Sequence, residues 1–181
     1  MIIYWMEMQQ LNMIVMEILK SLYYILPAYC ANGAPVIFGG GKPLDFGKKF
    51  LDGKPIFGSH KTIRGFISGL AIGTFVGLIQ WVFGASVGYL KVDVPLGFAL
   101  SLGAMTGDLL GSFIKRRLNL KPGASLPIID QMSFVVVALA FGYLIEPPTP
   151  TEVIIILLLT GLLHLLTNKI AYHLRIKRTP W

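Results

Sequence analysis

Gly107-Asp108-Leu109-Leu110-Gly111-Ser112-Phe113-Ile114-Lys115-Arg116-Arg117 starts inside an apolar run, where a carboxylate is costly, and leaves that run through three consecutive cations. About 20 apolar residues in helical form cross a bilayer, and Pro95 to Ile114 supplies such a segment. The stretch therefore reads as a membrane helix that ends at a charged water interface. The rest of the chain agrees: 54% of its 181 residues are hydrophobic, only 14% are charged, and the mean hydropathy is +0.67. That composition excludes an ordinary soluble domain.

Working outward, comparable runs occupy Phe66 to Val87, Ile128 to Ile145 and Val153 to Leu174. A further one, Leu11 to Ala31, contains Glu17, Lys20 and Pro27. It lacks the basic n-region and small-residue cleavage site of a signal peptide, so it reads as a retained helix. The expected fold is all-α: a single transmembrane domain over 1–181 with five spans, about 11–31, 66–87, 95–114, 128–145 and 153–174. Fourteen of the sixteen Lys and Arg residues fall in or beside the first loop, the loop after the third span, or the C-terminus. Lysine and arginine concentrate on the cytoplasmic side, which predicts an outside N-terminus, a cytoplasmic C-terminus and two basic cytoplasmic loops. The net charge of +7 thus follows from topology and does not call for a nucleic-acid partner. One cysteine, Cys30, gives neither a disulfide framework nor a metal cluster.

Glycines recur every four residues at Gly65, Gly69, Gly73 and Gly77, and again at Gly103, Gly107 and Gly111. Such faces let helix backbones approach closely in lipid. Ordinary packing accounts for most of them; Gly107 and Gly111 also flank Asp108, and the expectation is that they wall a lateral opening for a ligand. The segment from Asn32 to Arg64 is expected to be a long loop, and loops of that length are usually functional or disordered. It holds Asn32…Pro35, Asp52-Gly53, and Gly58-Ser59-His60-Lys61-Thr62-Ile63-Arg64 leading into a helix. The spacing fails a P-loop, because two residues separate Gly58 from Lys61 and no buried strand precedes them. Glycines, hydroxyls and cations at a helix N-terminus still favour phosphate. The plainer reading is a basic loop held near anionic headgroups.

On a helix, Asp108, Ser112 and Lys115 share one face. Intramembrane carboxylates are expensive and point to function, although Asp108 paired simply with Lys115 or Arg64 is the structural alternative. Asp130 follows Pro127 at a helix start, where the dipole alone can explain it. Asp108 and Asp130 close the two ends of one basic loop, and Mg²⁺ typically takes one or two carboxylates together with substrate phosphates.

Gly107-Asp108-x-x-Gly111-Ser112-x-x-Lys115-Arg116, Lys121-Pro122-Gly123 and Asp130-Gln131, with Asn32…Pro35, Asp52-Gly53 and Lys61-Thr62-x-Arg64-Gly65, resemble the membrane CTP-dependent cytidylyltransferases, and most closely their archaeal CDP-archaeol synthase branch. Two departures stand out: Ser59-His60, where an acidic residue or glycine is more usual, and Ser125-Leu126-Pro127, where bacterial members carry a His-Gly-Gly segment. The resemblance implies that CMP passes from CTP to an unsaturated archaeal ether-lipid phosphate, releasing pyrophosphate. It implies Asp108, Asp130 and Lys115 as catalytic, with Asp108 and Asp130 as the Mg²⁺ ligands. Lys61, Thr62, Arg64, Ser112, Lys115, Arg116 and Lys121 would be CTP and phosphate contacts, with Asn32, Asp52, Gly53 and Gly58 as further loop candidates. The partners are CTP and a lipid phosphate in the cell membrane, with a homo-oligomer left open.

Two other classes match the residues less well. A CDP-alcohol phosphotransferase needs Asp-Gly-x-x-Ala-Arg and further spaced aspartates, and Asp52-Gly53-Lys54-Pro55 lacks them. A small ion- or proton-coupled transporter would use Asp108 on a path across the membrane, yet the polar residues gather on one face.

Overall fold

The computed structural model describes residues 2–84, 92–122, 124 and 126–173. It is all-helical: α1 (Ile2–Phe38), α2 (Ile63–Gly84), α3 (Val94–Arg117), α4 (Pro127–Tyr143) and α5 (Pro150–His173). Each expected span falls on one of these. Tyr4–Phe38, α2 and α3 are long and apolar enough to cross a bilayer, whereas the apolar parts of α4 and α5, Ile128–Tyr143 and Pro150–Leu166, are shorter. The expected span ends at Val87 and Leu174, together with Lys91, Gly123, Ser125, Arg175, Lys177 and Arg178, lie outside the described residues.

The bundle is inside-out relative to a soluble protein. The buried residues of α2 are Gly65, Gly69, Gly73, Gly77, Gln80 and Gly84, while Ile67, Phe75 and Trp81 are exposed. Lipid solvates large apolar side chains, so small residues go to the helix contacts. A Cβ on Gly77 would lie 2.7 Å from the Cα of Gly97 on α3, and the reverse holds equally. α3 is central, packing against α1, α2 and α4, and its heaviest contact is with α4. A core of Ile25, Leu96, Leu100, Val135, Ala138 and Ile156 joins α1, α3, α4 and α5.

One expectation needs correction. Asn32 to Pro35 is not loop: α1 runs through it to Phe38, with Pro27 and Pro35 inside the helix. A proline removes one backbone N–H and frees the carbonyl four residues earlier. Here neighbouring helices cover the freed groups, as membrane helices allow. The Tyr23 carbonyl, freed by Pro27, accepts from Gln80 Nε2 of α2 at 2.7 Å. The Ala31 carbonyl, freed by Pro35, faces Gly69, where a Cβ would approach it to 2.8 Å.

The true loop, 39–62, is built from nested turns. Leu44 N donates to Lys61 O at 2.7 Å and Ile63 N to Lys42 O at 3.1 Å; inside them, Phe50 N donates to Lys54 O at 2.8 Å and Ile56 N to Lys48 O at 3.3 Å. Isolated bridges Pro43–Thr62 and Lys49–Pro55 mark the two levels.

Candidate active site at the helix–loop junction

The polar ends of α3, α4 and the 39–62 loop converge. Lys61 Nζ donates to both carboxylate oxygens of Asp108, at 2.7 and 2.6 Å. Lys115 Nζ pairs with Asp130 Oδ1 and donates to Ala124 O at 3.2 Å. Each candidate carboxylate thus holds its own lysine, and each keeps about a quarter of its side chain open (27% for both). The structural alternative for Asp108 is realised with Lys61, a partner outside its own helix, and not with Lys115 or Arg64. Asp130 Oδ2 accepts from Leu126 N at 2.8 Å, so the residue also caps α4.

Asp108 lies at the edge of a recess of about 70 Å³ lined by Pro35 and Gly39 from the end of α1, Lys61 and Thr62 from the loop, and Met105 from α3. Thr62 Oγ1 accepts from Gly65 N at 3.1 Å and Gly40 N at 3.2 Å, so the hydroxyl caps α2 and ties it to α1's end. Arg64 stands exposed on the first turn of α2 and is not among the residues lining this recess.

Ser112, Lys115 and Arg116 are buried on α3. Arg116 Nη2 donates to Lys121 O at 3.1 Å, while a Cβ on Gly58 would lie 3.3 Å from its Nη1. The stretch Gly58–Lys61 therefore spans both clusters, touching Arg116 at one end and pairing with Asp108 at the other. Arg116 Nε and Gln131 Nε2 are buried without a hydrogen-bond partner. Orphaned buried donors are uncommon, and two beside Asp130 suit an incoming acceptor such as a phosphate oxygen. The Lys121 side chain is exposed. Asn32 lies elsewhere, in a groove between α1, α4 and α5.

Asp52 and Gly53 form a turn. Asp52 Oδ1 accepts from Lys54 N at 3.1 Å, and Gly53 adopts φ +75°. Asp52 Oδ2 lies 2.7 Å from Arg117 Nε, which ties the turn to α3. Arg117 also stacks on Phe113, 4.4 Å from the ring centre, and its Nη2 donates to Pro55 O at 2.5 Å. Arg117 read in the sequence only as part of the basic cluster, and its role as a loop clamp was missed.

Asp45 was missed as well. Its carboxylate accepts from Gly47 N, Phe57 N and Gly58 N, each at 2.9 Å. Burial works to raise its pKa, but the backbone donors at Gly58, Phe57 and Gly47 outweigh it and hold the carboxyl below its ordinary 3.8. Asp45-x-Gly47 is an Asx-turn signature legible in the sequence; the contacts at 57 and 58 are not.

The glycine expectation fails on α3. A Cβ on Gly107 would lie 2.7 Å from Phe134 Cα, and one on Gly103 2.7 Å from Ala138 Cα. At Gly111 it would meet Ser133 Oγ at 2.6 Å. α4 fills this face, so these glycines serve helix packing and do not wall a lateral opening.

Among the described residues, no group of three or more His, Cys, Asp or Glu is arranged to hold a metal. Two partly open carboxylates among cations nevertheless fit Mg²⁺, which takes most of its ligands from phosphates and water.

A family model described as "CarS-like: CDP-archaeol synthase" matches residues 12–181. The chain is similar to the CDP-archaeol synthases of Pyrococcus furiosus (48% identical, covering 91% of this chain and 98% of that one) and Methanocaldococcus jannaschii (49%, covering 89% and 96%). It also resembles, at TM-score 0.75 and 36% identity over 83% of this chain and 94% of the other, a solved structure described as an intramembrane enzyme for archaeal membrane lipids biosynthesis.

Proposed function

The chain belongs to the CDP-archaeol synthase family, a membrane-embedded CTP-dependent cytidylyltransferase, and from that premise we propose that it moves CMP from CTP to 2,3-di-O-geranylgeranylglyceryl phosphate, with Mg²⁺ as cofactor. An oxygen of the lipid phosphate forms a bond to the α-phosphorus of CTP. The bond from that phosphorus to the β-bridging oxygen breaks, and pyrophosphate leaves with the electron pair. The lipid phosphate is already anionic, so no base is needed to activate it. Transfer then rests on positioning and on neutralising charge.

The observation that carries this reading is the double ion pair at one junction, Lys61 on Asp108 and Lys115 on Asp130, with the unpartnered donors of Arg116 and Gln131 beside it. Asp108 and Asp130 would hold Mg²⁺, which supplies charge neutralisation along the triphosphate. Lys61 and Lys115 hold the carboxylates in place until nucleotide arrives, and their ammonium groups then donate to phosphate. Arg116, with a planar fork of donors, suits bidentate phosphate contact, and Ser112, Thr62, Lys121 and Arg64 border the same ends. The clamp of Asp45, Asp52 and Arg117 holds the loop that carries Lys61. All 181 residues form one transmembrane cytidylyltransferase domain in this reading, N-terminus outside and the site at the cytoplasmic face of the cell membrane.

Purified protein with CTP labelled at either the α- or γ-phosphorus tests it. Label should enter lipid from the α position only, should require the ether-lipid phosphate, and should stop with EDTA. Lipid labelling that persists in EDTA sinks the metal assignment. Lipid labelled from the γ position sinks the reaction.

A further inference from the structure

Between α1, α4 and α5 lies a groove of about 300 Å³, lined by Tyr29, Asn32 and Gly33 of α1, Phe134 of α4, and Thr160 and His164 of α5. Its volume equals that of about ten water molecules, but its walls are predominantly apolar. Tyr29 and Thr160 satisfy each other across it, hydroxyl to hydroxyl at 2.7 Å, and Thr160 also donates to Ile156 O at 2.6 Å.

Two registers join this groove to the charged site. Phe134 follows Asp130 by four residues on α4, so it sits one turn deeper on the same face. Asn32 precedes Pro35 by three on α1, and Pro35 lines the Asp108 recess. Along α1, a rise of about 4.5 Å therefore separates the groove from the Asp108 recess.

Gly33 adds an independent observation. A Cβ on Gly69, Gly73, Gly77, Gly103, Gly107 or Gly111 would meet protein atoms closer than 3 Å, so those glycines are explained by packing. A Cβ on Gly33 meets nothing within 4 Å. Glycine inside a helix is unfavourable relative to alanine, and here no neighbouring helix requires it. Gly33 lines the groove, and the space that its Cβ would take is empty.

We propose that the groove receives a hydrocarbon chain of the lipid-phosphate substrate, whose head reaches the Lys115–Asp130 and Lys61–Asp108 pairs one turn above. This rests on the cytidylyltransferase reading and adds the place of chain recognition. It also supplies the lateral opening that α4 denies to the glycine face of α3.

Gly33→Phe places a bulky ring at the groove's lining, where a Cβ meets no protein within 4 Å, and Gly33→Ala serves as a small control. Turnover is measured with a long-chain ether-lipid phosphate and a short-chain, water-soluble one, and CTP binding is measured by calorimetry. Gly33→Phe should raise KM for the long-chain substrate about tenfold, roughly 1.4 kcal/mol. Short-chain kinetics, CTP affinity and the melting temperature should stay at wild-type values, as should every property of Gly33→Ala. An unchanged long-chain KM would mean that only bulk lipid fills the groove, and equal losses for both substrates would remove its chain-specific role; either overturns the proposal. Wild-type protein inactive on every lipid phosphate overturns the cytidylyltransferase reading instead. If Gly33→Phe does not fold, a long-chain substrate with a photoreactive group near its tail decides with wild-type protein. Crosslinks to α1, α4 and α5 around the groove support the assignment, and crosslinks confined to α2 overturn it.

Discussion

Asp108 and Asp130 each sit in a lysine's grip with about a quarter of the side chain still open, a state that leaves each carboxylate paired yet reachable. Asp108→Asn and Asp130→Asn should each lower turnover by about 100-fold or more, with helical content by circular dichroism unchanged. Lys61→Ala should impair CTP use strongly, whereas Lys48→Ala and Lys49→Ala, on the exposed outer turn, should leave rates within about twofold; equal losses from all three would mean that the loop acts only through its overall charge. Asp45 acts on the fold of that loop. Because its folded pKa is depressed, its contribution is complete above the ordinary carboxylate range and is lost as pH falls through and below about 4. Resistance of the loop to limited proteolysis should fall in wild type between about pH 5 and 3, while Asp45→Asn should be labile throughout. A wild-type loop equally resistant at both ends of that range would remove the carboxylate from its role. The two acids, Lys61, Lys115 and Arg116 were legible in the sequence because charge beside an apolar run has few explanations. Asp45 and Arg117 were not, since the partners that make them clamps, Phe57 and Gly58 for Asp45 and Asp52 for Arg117, lie 12 or more residues away and meet them only once the nested turns form.

At the scale of the elements, the five helices were legible because apolar runs of membrane length admit little else. Two features of them were not. Helix α1 was expected to stop at Ala31, since Pro35 and Asn32-Gly33 read as loop signals. It continues because α2 supplies a side-chain donor at Tyr23 O and a close backbone at Ala31 O. The glycine spacing on α3 revealed a close approach but not what approaches, and α4 turned out to fill it. Gly107→Leu should therefore destabilise the bundle, by about 1–3 kcal/mol or more, seen as a lower melting temperature in detergent. A Gly107→Leu protein that melts like wild type would mean that α4 does not pack there.

For the molecule as a whole, cations concentrate where α1 ends, α2 begins, α3 ends and α4 begins, and these ends meet in one polar layer. That arrangement brings a water-soluble nucleotide to a substrate whose chains cannot leave the hydrocarbon without losing about 0.8 kcal/mol per CH₂. Membrane-impermeant thiol labelling of Cys30→Ser protein carrying one new cysteine should, in sealed inside-out vesicles, modify position 49 and spare position 7. The reverse pattern would invert the proposed orientation.

In the proposed reaction, CMP transfer to lipid takes place at Asp108. Its most direct test measures transfer of α-label from CTP to an ether-lipid phosphate by wild-type and Asp108→Asn proteins matched for folded content and melting temperature. The wild type should label lipid steadily, and the variant should lose about 100-fold or more. Labelling by the Asp108→Asn protein at the wild-type rate would contradict this assignment.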